Sequence, residues 1–160
     1  MPATPIAASL RYWRPGTTKV YFCSAIANKA APSRAELNAG TDLSPEVAAT
    51  SGFQPTREFQ DAPDLASEFV PQVSANLTVG ESSISMYASS NSVDARSLLP
   101  RDTVGFIVWL DEGDVAGRKM QVFPVKVGSA AQERELGNVP VLVFTFATTS
   151  APAENVTIPA

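Results

Sequence analysis

The strongest pattern along the chain is the run Val104–Leu110, VGFIVWL, where apolar residues occupy both parities. A strand of that kind has both faces covered, one by the core and the other by a helix or another subunit. Thr18–Ile26 (TKVYFCSAI) is β-branched and aromatic, which predicts a first strand. Val73–Gly80 and Ser82–Ser89 alternate; in the second, Ile84, Met86 and Ala88 share one side, as in a half-buried antiparallel strand. Lys119–Ala130 and Val139–Thr149 complete the apolar strands, and Pro124 within the former predicts an edge or a bulge.

Two short helices punctuate the strands. In APSRAELNAG, Ser33 and Glu36 form a capping-box pattern and Gly40 a stop. In NSVDARSLLP, Ser92 can cap and Asp94 suits the first turn. Leu98 and Leu99 face a core and Pro100 ends the element, so the main helix is expected over about 92–99. Thr41–Gln72 is broken by Pro45, Pro55, Pro63 and Pro71 and reads as a long ordered loop or edge hairpin, with an edge strand over 51–60.

The ends differ from the middle. Residues 1–17 hold three prolines among Ile6, Leu10, Tyr12 and Trp13, an arm equally suited to its own domain or a neighbour. Residues 150–160 form a polar tail closed by Val156 and Ile158. The expectation is a mainly β fold, an antiparallel sandwich or partly closed barrel over 18–149 between two extended arms. The chain shows no internal repeat.

Composition narrows the function. A chain of 160 residues fits one domain and can bury roughly 70% of its unfolded surface. Only 18% of residues are charged, and mean hydropathy is +0.01, a balance that suits a surface partly covered by other subunits. A net charge of −4 and scattered Lys and Arg argue against a basic groove for nucleic acid. With no histidine and one cysteine, Ser-His-Asp and Cys-His catalysis and His- or thiolate-held metals are excluded. Cys23 lies among strand residues and reads as a small buried hydrophobe. The opening MPATPIAASL lacks the pattern of a signal peptide, so use without secretion is expected.

The remaining candidates are carboxylates. DEGD, Asp111–Asp114, could be a Ca²⁺ loop but lacks the spaced ligands of an EF-hand and reads better as a turn. Asp61, Asp64 and Glu68 could flank a glycosidic bond, but acids along a solvated loop are commoner. Asn76 in NLT and Asn155 in NVT match the glycosylation acceptor pattern by chance. No catalytic, metal or cofactor site is expected.

Five segments in order carry a resemblance: SRAELNAGTDLSPEVAATSGF, PDLASEF, SSISMYAS, LLPRDTVGFIVWLDEGDVAGRKMQVFPVKV and FTFATTSAPAENVTIPA. Over about Tyr21–Ala160 the chain resembles the major tail tube proteins of long-tailed, siphovirus-type bacteriophages, those infecting actinobacteria most of all. The resemblance implies hexameric rings stacked into a hollow tube through which the genome is ejected, with DNA passing unbound. It also implies a tape-measure protein and tail terminator and distal tail proteins as partners. Inter-ring contacts are then expected from the arms and the long loop, through Leu10, Tyr12, Trp13, Leu65, Phe69, Val156 and Ile158. Asp61, Asp64 and Glu68 are candidates to face the bore, where negative charge would repel phosphates. Two other classes fit the composition: a monomeric carbohydrate-binding or adhesin sandwich with exposed aromatics, and a two-carboxylate hydrolase.

Overall fold

The computed structural model describes residues 3–91 and 94–160. In chain order its elements are β1 (Lys19–Cys23), α1 (Arg34–Asn38), β2 (Thr41–Asp42), a 3-10 turn (Ser44–Glu46) and β3 (Val47–Ser51). There follow β4 (Pro55–Asp61), β5 (Gln72–Val79), β6 (Ser82–Tyr87) and α2 (Ala95–Leu98). The last are β7 (Val104–Leu110), β8 (Lys119–Gln132), β9 (Val141–Thr148) and β10 (Ala153–Thr157). The main sheet runs β2-β1-β7-β8-β9-β6-β3, with β10 also on β8, and β4-β5 form a separate pair. Every pairing is antiparallel.

β8 is the spine. Its first half pairs with β7, while β9 and then β10 follow each other along its other edge: Thr148 lies opposite Val125 and Ala153 opposite Val122. Pro124 falls at that break. Its carbonyl accepts from Thr149 N at 2.9 Å, so the side on which it lacks an N–H faces the interruption rather than a continuous ladder.

The outermost strands β2 and β3 are joined only by Leu43–Glu46, so the sheet curls until its ends approach. Val20 is held at this seam, its N–H donating to Ser44 Oγ at 2.8 Å and its carbonyl accepting from Leu43 N at 2.8 Å. The result is a partly closed barrel whose seam is tied by side chain and turn instead of a ladder.

Inside the curl pack Val20, Phe22, Ile107, Phe123, Val125, Ile84, Met86, Leu142, Phe144 and Phe146. The outer face of β1-β7-β8 carries a second cluster, Cys23, Val108, Leu110, Met120 and Val122, covered by Ile26, Leu37 of α1, Val156 and Ile158. That explains the apolar run with both parities filled: Ile107 and Trp109 face the inner cluster, and Phe106, Val108 and Leu110 the outer one. It also corrects the expected C-terminal arm. Residues 153–157 are a strand on β8, and Val156 (6% exposed) and Ile158 (1%) complete the chain's own outer core.

Local sequence sets both helices. Ser33 Oγ accepts from Glu36 N at 3.3 Å, and Glu36 returns a carboxylate to Ser33 N at 2.7 Å, while its other oxygen accepts from Ala27 N at 2.7 Å. These donors, Ala27 first, hold the Glu36 carboxyl below the usual range. The second helix is shorter than the expected 92–99. Its N-cap is Asp94, accepting from Arg96 N at 3.1 Å, and the expected cap Ser92 lies outside the described residues. The Arg96 side chain on Asp94 is the main cause of that carboxyl's fall to about 2.

Candidate assembly surfaces

The segment expected as a loop or edge hairpin, 41–72, takes the second form. β3 is the terminal strand of the main sheet, and β4 turns through 62–71 into β5. The β4-β5 pair is exposed along nearly its whole length. Phe59, Val73 and Leu77 on its strands and Leu65, Phe69 and Val70 in its tip are all exposed. A lone two-stranded hairpin is marginal in water, so this one is held from its root or by a partner.

The root is built firmly. Gly52 and Phe53 both adopt positive φ (80° and 57°). A Cβ at position 52 would meet Glu81 O at 2.4 Å and Ser82 Cα at 2.6 Å, which only glycine permits. The turn buries the Phe53 ring 5.5 Å from Trp109, 5.3 Å from Phe123 and 5.9 Å from Phe146. Buried Ser82 bridges the two legs, accepting from Phe53 N at 2.9 Å and donating to Gly80 O at 3.1 Å. Trp109, partly buried, packs against the inner cluster through this aromatic group.

The arm has no regular structure over 3–13 and leaves Ile6, Leu10, Tyr12 and Trp13 exposed. It is fixed at Arg14, whose guanidinium donates to Asp111 Oδ1 at 2.7 Å. Arg14 and Asp111 line a cavity of about 530 Å³ together with Gly52, Phe53 and Gln54. The arm and the hairpin therefore start from adjoining points of the barrel.

Of the expected contact residues, Leu10, Tyr12, Trp13, Leu65 and Phe69 share this character: large, apolar or aromatic, and uncovered by their own chain. Val156 and Ile158 do not, because they fill the outer cluster. Asp61, Asp64 and Glu68 lie exposed on the hairpin. Asp61 accepts from Gln72 Nε2 at 2.8 Å and Asp64 from Ala66 N at 2.8 Å, contacts that shape the tip. Phe59 escaped sequence reading because it stands alone among polar residues. Leu136, exposed in the β8–β9 connection, escaped for the same reason, whereas Val139, expected as the start of the last strand, lies exposed ahead of β9.

DEGD is a turn, and two of its three acids, Asp111 and Asp114, are held in ion pairs. Asp114 receives the Arg34 fork at 2.5 and 2.7 Å and the Tyr21 hydroxyl at 3.0 Å. Among the described residues no group of three potential metal ligands converges. Among the described residues no helix is long and apolar enough to cross a membrane.

No curated protein matches the chain by sequence. Among solved structures it is similar to a chain in the tail of an empty gene transfer agent particle refined with C6 symmetry: TM-score 0.53, 12% identity, covering 86% of this chain and 93% of that one. A chain of the native gene transfer agent virion is also similar, with TM-score 0.48, 13% identity and coverage of 72% and 88%. The first of these shares the fold. Residues 7–160 match the phage tail tube protein family, which takes in all but the first few residues of the arm along with the barrel, hairpin and terminal strand; the chain belongs to that family.

Proposed function

We propose that this chain is the repeating subunit of the tail tube of a siphovirus-type phage of actinobacteria, assembling as hexameric rings that stack into a conduit for the genome. The role is structural, in the virion. The observation that carries this reading is the β4-β5 hairpin, an exposed element with an apolar tip in a chain whose family builds tail tubes. The sixfold number is supported by the similar tail chain, whose particle has C6 symmetry. The hairpin tip, through Leu65 and Phe69, and the arm, through Leu10, Tyr12 and Trp13, supply the contacts between copies. The hairpin-tip contacts are heterologous along the tube axis and continue as a filament, so length is set from outside, by a tape-measure protein, and the ends are met by terminator and distal tail proteins.

A ring carries six times the chain's formal charge of −4. We assign Asp61, Asp64 and Glu68 to the bore, where they repel DNA phosphates and let the genome slide without sticking. Electron microscopy of the purified protein tests the reading: rings or tubes are expected, and isolated particles at all concentrations would overturn it.

A further inference from the structure

Two unpartnered elements of this chain complement each other. Along IAASLRYW, Ile6, Ala8, Leu10 and Tyr12 fall on one parity and Ala7, Ser9, Arg11 and Trp13 on the other, the spacing of a strand without a sheet. β4 has the reverse defect: it pairs only with β5, so its outer edge offers a row of unused N–H and C=O groups. Each stretch, 6–12 and Pro55–Asp61, spans seven residues, roughly 24 Å when extended. Charge agrees as well. Residues 1–17 contain Arg11 and Arg14 and no acid, a net +2, whereas 55–79 contain Glu58, Asp61, Asp64 and Glu68 against Arg57, a net −3. Among the described residues, Arg11 and these four acids take part in no ion pair.

We propose that residues 6–12 of one copy add to the outer edge of β4 in the adjacent copy of the same ring, as an antiparallel third strand. This rests on the ring reading above and names what the arm binds. The shared root fixes the direction. Arm and hairpin leave the barrel side by side, so an arm lying along a neighbour's hairpin has residue 12 near its base and residue 6 near its tip, while β4 runs from base to tip. Tyr12 then lies opposite Pro55, Ser9 opposite Glu58 and Ile6 opposite Asp61. In that register Ile6, Ala8, Leu10 and Tyr12 extend the face that carries Phe59 and Leu77, and Arg11 sits diagonal to Glu58. The isolated chain does not make this contact with itself. Its arm passes the turn holding Glu112 and Arg118, and no backbone hydrogen bond among the described residues joins it to β4. Repeated around a ring, the pairing fills every β4 edge and leaves none free.

Two variants with one added cysteine each test it, Ser9→Cys and Glu58→Cys, mixed in equal amounts, assembled and oxidised. Native Cys23 is buried and gives no background. Disulfide-linked dimers joining the two populations are expected. They should persist in rings kept from stacking by Leu65→Asp with Phe69→Asp. A link that disappears in such rings places the contact between rings and overturns the proposal. So does the absence of any link in tubes that form normally, while the tail-tube reading stands. If the unaltered protein forms neither rings nor tubes, that reading falls and takes the proposal with it. Independently, Arg11→Glu should cut ring formation about tenfold, and adding Glu58→Arg should restore most of it; an unchanged yield in Arg11→Glu overturns the pairing.

Discussion

The β1-β7-β8 half of the barrel and the β4-β5 hairpin are both antiparallel β-structure, yet they sit at opposite extremes of burial. In the first, Ile107, Val108, Phe123 and Val122 are sealed on opposite faces of the same strands. In the second, Phe59, Val73 and Leu77 stand in solvent on strands with no core beneath them. On the proposed function, the chain divides its apolar residues between folding itself and binding its copies. Fully covered strands hold the subunit together, and the uncovered pair is left for the contacts proposed between copies.

Removing an aromatic from each region separates the two uses most sharply. Phe123→Ala is expected to cost about 3–5 kcal/mol, read as a lower urea midpoint, because a large side chain leaves a closed cluster. Phe59→Ala is expected to change the midpoint by less than about 0.5 kcal/mol and to appear only in assembly. Equal costs at the two sites would erase the distinction.

The hairpin root sits between these extremes. Gly52→Ala places a methyl 2.4 Å from Glu81 O at a positive φ. We expect a loss of about 1–3 kcal/mol in denaturant titration, with faster amide exchange in β4 and β5 than in β7. Unchanged exchange in the hairpin would show that the root does not hold it.

Alkaline pH probes the covered half through Tyr21 and Cys23. Burial first, then the hydrogen bond to Asp114, pushes the Tyr21 hydroxyl up to about 12. Burial likewise pushes the Cys23 thiol to about 11. Both protons are held more tightly in the folded chain than in the unfolded one. Their contribution is therefore complete below the unfolded values near 10 and 9, and drains away as pH rises through about 12 and 11. Tyr21→Phe should cost about 1 kcal/mol at neutral pH and flatten the fall in urea midpoint between pH 10 and 12, leaving the Cys23 part below it. An identical alkaline profile in the variant would contradict this.

The smallest effect on the fold belongs to Leu65→Asp with Phe69→Asp at the hairpin tip. Its urea midpoint should match the unaltered protein within about 0.5 kcal/mol. Microscopy should show rings without long tubes; normal tubes would remove the tip from the stacking contact.

What the sequence made legible follows from the range of the forces involved. Ser33 and Glu36 announced α1 because a capping box acts over three residues, and Val104–Leu110 announced double coverage because both parities are apolar. Strand β3 was not seen, and β4 only as an edge strand expected over 51–60. VAATS and PTREFQD bury almost nothing, and their state comes from backbone pairing with β6 and β5. At the C-terminus the alternation of Val156 and Ile158 was a strand signal, but Pro152 and Pro159 framed it as an irregular tail. Their burial depends on β8, a partner distant in sequence. The uncovered apolar residues were legible where they interrupted polar, proline-marked segments, as at Trp13, Leu65 and Phe69. Phe59 was not, because it stands alone among the polar residues of β4.

Because the arm and the hairpin spring from neighbouring points, the subunit has a front and a back. A column of such subunits inherits that sense of direction, and its two extremities are chemically unlike. If the tips stack as proposed, one displays spare hairpin tips and the other the bare receptors for them. A single kind of cap cannot close both, so growth can be started at one extremity and stopped at the other by different proteins.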